Sequence, residues 1–154
     1  MARVGLKATI VVADANEWQP KEPLDAVLLD APCTATGTIR RHPDIPWAKE
    51  PADVARLADA QAKLLRSAAR LTKPGGTILY AVCSLQPEEG PQLVEAALAA
   101  EDSPFERFPI RRDELRGLPV DLTVQGEVRT LPVHLAASGG LDGFFVARLR
   151  RRTV

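Results

Sequence analysis

The feature that most restricts the fold is a long amphipathic stretch, "PADVARLADAQAKLLRSAARL" (51–71), set between two short apolar runs, "LDAVLLDAP" (24–32) and "TILYAVCS" (77–84). Val54, Leu57, Ala58, Leu64, Leu65, Ala68 and Leu71 recur at helical spacing, and the pattern stops at "TKPGG", a Lys, Pro and Gly stop signal. The flanking runs are too short for helices and read as buried strands. A strand, a helix and a second strand predict a parallel pair joined by a right-handed crossover.

The rest of the chain continues the alternation. "ATIVVAD" (8–14) reads as a β-branched strand ending in Asp14, preceded by the end of a helix closed at Gly5. "PEEGPQLVEAALAA" (87–100) is predicted as a helix, with Pro87 and two acidic residues suited to its first turn. "FERFPI" (105–110) is expected to be a short strand and 111–141 to be irregular. "GFFVARLR" (143–150) alternates as an edge or antiparallel strand does. The fold class expected is therefore α/β, one domain over 1–154, with a mostly parallel sheet and an antiparallel last strand.

Composition narrows the function classes. A chain of 154 residues with 45% hydrophobic and 26% charged residues fits a soluble domain able to bury a core. No run of 18 apolar residues offers a membrane-spanning helix, and no signal-like segment opens the chain, so a cytoplasmic location is expected. Twenty basic and twenty acidic residues cancel, giving no net-charge argument for nucleic acid. The local basic runs, Arg40–Arg41–His42, Arg111–Arg112 and "ARLRRR" (147–152), read singly as solvated faces. Two cysteines 50 positions apart make neither a metal spacing nor a disulfide framework, so no metal and two reduced thiols are expected.

In open sheets of this kind ligands sit beyond the carboxyl ends of the strands. Asp14, Asp30 to Cys33, and Cys83 with Ser84 fall there. Cys83 precedes a helix start, which favours a thiolate; the plainer reading is a small buried hydrophobe. Cys33 lies in "DAPCTATG", where Pro32 keeps Ala31 extended and Gly37 permits a tight return. That loop would fix Asp30 and Cys33 at one place, or serve only as a strand-to-helix turn. Asp14 taken singly is a cap or turn residue. His42 and His134 have no evident cysteine partner, which leaves a Cys–His hydrolase without support.

"DAPCTATGTIRRHPDIPW" together with "LYAVCSLQPEE" resembles the Sun/Fmu family of S-adenosylmethionine-dependent RNA cytosine-5 methyltransferases, and most of all its bacterial small-subunit ribosomal RNA members. Thr34 stands where the family's first thiol motif has Ser, and Val82 where its second has Thr; "DGFFVARL" (142–149) looks like its last strand. The resemblance implies a Rossmann-like methyltransferase sheet. It implies Cys83 as the nucleophile and Cys33 as the cysteine that assists product release. It further implies Asp30 at the junction of cofactor and base, Pro32 shaping the loop, and Asp14 accepting from the cofactor's adenine. Under it, Arg40, Arg41 and His42 gain a role on RNA phosphates.

The glycine-rich cofactor loop of the family, the acidic residue that follows it, and its amino-terminal RNA-binding region have no counterpart here. The chain therefore reads as the carboxyl-terminal portion of the catalytic domain, lacking the first two strands and expected to be inactive alone. The first segment is expected either to be displaced or to pair with a second copy, as exposed sheet edges do. Two further readings come from other classes: a stand-alone RNA-binding or interaction module, and a dithiol redox protein.

Overall fold

The structure, a computed structural model, describes residues 5–153. Its strands are β1 (Leu24–Asp30), β2 (Thr72–Val82), β3 (Phe105–Arg107), β4 (Asp121–Leu122), β5 (Val128–Thr130) and β6 (Phe144–Arg151). Its α-helices are α1 (Ile45–Ala48), α2 (Pro51–Leu71) and α3 (Pro91–Ala99). The α2 helix has the bounds read from the sequence. Pro51 opens it, and Asp53 accepts the Glu50 N–H at 3.0 Å across the first turn. The chain passes straight from α2 into β2, with Lys73–Gly76 bulging out between the Leu24–Thr72 and Ala26–Thr77 pairings. Gly76 is required there, since a Cβ would lie 2.8 Å from the Asp25 carbonyl oxygen.

The sheet runs β1-β2-β6-β5-β4, with β3 also on β6. The α/β class and the antiparallel last strand agree with the sequence reading, but the sheet is mixed rather than mostly parallel. Only β1 and β2 run parallel; β6 is antiparallel to β2, β3 and β5, and β4 to β5. Between β4 and β5 only residues 123–127 intervene, a connection that permits antiparallel return but no crossover. It builds a hairpin out of 121–130, within the region expected to be irregular, and makes β6 an interior strand.

The core lies on one face, where Ile78, Tyr80 and Val82 of β2 and Phe145, Ala147 and Leu149 of β6 meet Leu65, Ala68 and Ala69 of α2 and Leu93 and Val94 of α3. No helix among the described residues covers the opposite face. This corrects the reading of 24–32 as a fully buried strand: β1 stands at the sheet edge, with Leu28 68% exposed. On that face Arg148 and Arg150 stack on Phe108 at 4.1 and 4.0 Å.

The strand expected at 8–14 does not form. The segment is exposed, Ile10 by 83% and Val12 by 97%. A β-branched run favours extension but becomes a strand only when paired. Here Asp14 closes a turn, accepting the Glu17 and Trp18 N–H groups at 3.0 and 2.8 Å. Asn16 then ties the segment to α2 through Ser67 at 2.9 Å and Arg70 at 2.6 Å. Among the described residues the segment 8–14 pairs with no strand of the sheet. The helix end expected before Gly5 lies outside the described residues.

Candidate active site

The ends of β1 and β2 stand side by side, with Asp30 paired to Ala81 and the Ala31 N–H donating to the Ala81 oxygen at 3.0 Å. Each strand runs on into a cysteine-bearing loop, and the parallel register brings the two loops together. Cys33 Sγ and Cys83 Sγ lie 3.5 Å apart, both half-buried. The Gly37 N–H donates to the Cys83 oxygen at 3.0 Å, and the Leu85 N–H to Thr36 Oγ1 at 3.0 Å. Burial above all, with Cys83 and Glu89 adding and a hydrogen bond from the Ala35 backbone opposing, pushes the Cys33 thiol up to about 12.

Beneath the thiols lies a polar network that sequence reasoning missed. Glu89 is fully buried. Its Oε1 accepts the Thr34 N–H at 2.9 Å and Gln61 Nε2 at 3.0 Å, while Oε2 accepts the Thr34 and Ser84 hydroxyls. Gln61 also donates to the Pro32 oxygen at 2.8 Å and accepts from Tyr80 Oη at 3.1 Å; the same phenol donates to the Glu89 carbonyl at 2.6 Å. Burial raises the Tyr80 phenol well above its ordinary value. One signal was available: Gln61 sits between Leu57 and Leu65 on the apolar stripe of α2, and a polar side chain there requires a buried partner. Glu89 gave none, because it read as an acid in a helix's first turn. In fact it belongs to a 3-10 turn, Pro87–Glu89, that precedes α3.

The basic residues are placed by an acid also missed in the sequence. Arg40 Nε donates to Asp142 Oδ1 at 3.0 Å, and Arg41 Nε to both carboxylate oxygens at 2.9 and 2.8 Å. Arg41 first, then Arg40, holds the Asp142 carboxyl below its ordinary value. Both guanidinium groups remain partly exposed, Arg41 lies within electrostatic reach of Cys83, and His42 is exposed beside them. A cavity of about 610 Å3 has Thr34, Thr36, Ile39, Lys49, Val54 and Gln86 in its wall.

Asp30 and Pro32 are exposed at the end of β1, next to the thiols. Asp14 spends one carboxylate oxygen on the Asn16 N–H at 2.8 Å, and no hydrogen bond or ion pair among the described residues joins it to Asp30, Pro32 or either thiol. Nor do three His, Cys, Asp or Glu side chains converge as metal ligands among the described residues.

The open α/β sheet has counterparts among solved structures. One is a methyltransferase homologue from Pyrococcus horikoshii, at TM-score 0.61 and 28% identity over 84% of this chain and 39% of that one. Another is the P. horikoshii NSun6 solved with SFG, at TM-score 0.76 and 24% identity over 97% of this chain and 36% of that one. The chain belongs to the family described as 16S rRNA methyltransferase RsmB/F, which matches residues 1–150. Among curated relatives, ribosomal RNA small subunit methyltransferase B of Thermus thermophilus is 45% identical over 97% of this chain and that of Klebsiella pneumoniae 40% over 99%. The chain spans 34% and 32% of the lengths of those two proteins.

Proposed function

We propose that the chain carries the thiol half of the catalytic domain of an RNA cytosine-5 methyltransferase, acting on small-subunit ribosomal RNA, with Cys83 as nucleophile. The observation that carries this reading is the 3.5 Å contact of two cysteines 50 residues apart, in a member of an rRNA methyltransferase family.

Carbon-5 of cytosine is too weak a nucleophile to take a methyl group directly. Addition of the Cys83 thiolate to carbon-6 forms a carbon–sulfur bond and moves the ring's π electrons onto carbon-5, which then attacks. Loss of the carbon-5 proton returns the electrons, breaks the carbon–sulfur bond and frees Cys83. Cys33, in contact with that sulfur and itself protonated, is placed to pass its S–H proton to the departing Cys83 sulfur and then to take the carbon-5 proton in its place. The target base must leave its stack to reach the thiols. Asp30, exposed beside them, is placed to hydrogen-bond the cytosine edge, and Arg40, Arg41 and His42 to hold backbone phosphates.

S-adenosylmethionine supplies the methyl group when bound. Asp30 and Pro32 would form one wall of its site and Asp14 would accept from its adenine, while the chain carries no glycine-rich loop for it. On this basis the chain by itself is inactive in methyl transfer.

The decisive experiment is adduct formation on small-subunit ribosomal RNA carrying 5-azacytidine. A protein–RNA adduct resistant to denaturing gel, kept in Cys33→Ser and lost in Cys83→Ser, is expected. RNA retention without an adduct in any variant would favour the binding-module reading, and an adduct on Cys33 would reverse the two roles. Calorimetric titration with S-adenosylmethionine should give no heat with a well-folded chain; low-micromolar binding would refute the incomplete cofactor site.

A further inference from the structure

The short helix α1 contributes nothing to the core, since none of its four residues is buried. It nevertheless carries Trp47, which is 91% exposed. The chain's other aromatic side chains are all buried or half-buried, so Trp47 is the one exposed aromatic among the described residues. An indole left in water forgoes one of the largest burial gains a side chain can make, and packing within this chain does not account for it.

The indole is also held in a fixed place. Overlapping hydrogen-bonded turns run from the thiol loops to it. The Gly37 N–H donates to the Cys83 oxygen, the Thr38 N–H to Ala35, the Arg41 and His42 N–H groups to Thr38, the Ile45 N–H to His42 and the Trp47 N–H to Asp44. Ile45, Pro46 and Lys49 share the wall of the 610 Å3 cavity with Thr34, which follows Cys33, and with Gln86, which lies shortly after Cys83. Positive charge flanks the indole along the chain. Arg40 and Arg41 divide the one carboxylate of Asp142 between two guanidinium groups, and Lys49 is exposed at the end of α1. The acids of the stretch, Asp44 and Glu50, stand at the N-caps of α1 and α2.

We propose that Trp47 is a base-stacking residue for single-stranded RNA: it holds an unpaired nucleotide that flanks the target cytosine, with Lys49 and the Arg40–Arg41 pair on the neighbouring phosphates. This rests on the reading of the chain as acting on ribosomal RNA. The occupant is RNA because the chain belongs to an rRNA methyltransferase family and the indole is set among cations, the combination by which proteins hold unpaired strands. It is a flanking base because the target must lie against Cys83, and so exposed an indole is no part of the half-buried thiol site.

The test uses the chain's own fluorescence. Trp18→Phe leaves Trp47 as the only tryptophan. Its emission should be open to quenching by acrylamide in the free chain. Small-subunit ribosomal RNA should lower that emission and shield it from acrylamide, whereas inorganic polyphosphate, which offers charge without bases, should do neither. In the otherwise native chain Trp47→Ala should weaken RNA binding by about fivefold or more, the lower end of what one stacked base contributes, and Trp47→Phe should keep most of the affinity. An equal response to RNA and polyphosphate, or unchanged affinity in Trp47→Ala, would overturn the proposal. So would shielding in the absence of RNA, which would show a second copy seated on the indole. An adduct at Cys83 with unchanged RNA affinity in Trp47→Ala would end this inference and leave the proposed function standing; a native chain that retains no RNA would end both.

Discussion

Gly37 and Gly143 meet backbone to backbone. The Gly143 N–H donates to the Gly37 oxygen at 2.7 Å, and a Cβ on Gly37 would lie 2.0 Å from the Gly143 oxygen. This contact latches the thiol loop to the start of β6 and brings Asp142 under Arg40 and Arg41. The obstructing atom is backbone and cannot move aside. Gly37→Ala should cost about 3 kcal/mol or more in urea unfolding. Loss of less than about 1 kcal/mol would mean that the latch is loose in solution.

Gln61→Leu tests the network from the side of α2. The change keeps the shape and strips the Pro32 carbonyl of the Gln61 donor, while Tyr80 Oη keeps the Glu89 carbonyl and Glu89 Oε1 keeps the Thr34 N–H. Leaving that carbonyl unmatched predicts a loss of about 2–3 kcal/mol, measured by denaturant midpoint at unchanged slope. A neutral or stabilising effect would show that water replaces the amide.

The Cys33 thiol gives the chain an alkaline weakness. Its folded value, about 12, lies above the ordinary 9.0, so between these two the unfolded chain has lost a proton that the folded chain keeps. Stability attached to this group is complete below pH 9 and falls as pH rises towards 12. Cys33→Ala should flatten that decline in thermal unfolding across pH 8–11; an identical decline would assign it to other groups.

Two sulfurs in contact invite oxidation. Hydrogen peroxide should convert the two thiols into one intramolecular disulfide with release of two waters, the chain losing two hydrogens by mass. The product should block both the alkylation of Cys83 and the RNA adduct, and a thiol reductant should restore them. Sulfinic acid in place of the disulfide would mean that the loops cannot close the remaining distance.

The exposed run at Ile10 and Val12 and the free edge of β1 are both open to pairing. Light scattering is expected to show concentration-dependent association, reduced by Ile10→Lys with Val12→Lys. A strictly monomeric native chain would refute it.

Much of this molecule was legible in the sequence because it depends on local pattern. The α2 helix follows from apolar spacing and a Pro–Gly stop, and β1 and β2 from short apolar runs at its two ends. Once a parallel pair is read, Cys33 and Cys83 must lie at the same edge. The sequence could not place the segment 8–14: its β-branched run specifies extension, while a strand needs a neighbour that local pattern cannot supply. Nor could it show that the hairpin within 111–141 joins the sheet, since strands of two and three residues carry no period. The roles of Glu89, Gln61 and Asp142 were decided only by tertiary structure. A carboxylate or an amide looks solvent-facing until the packed chain surrounds it with donors or cations, and those partners lie 5 to 102 residues away.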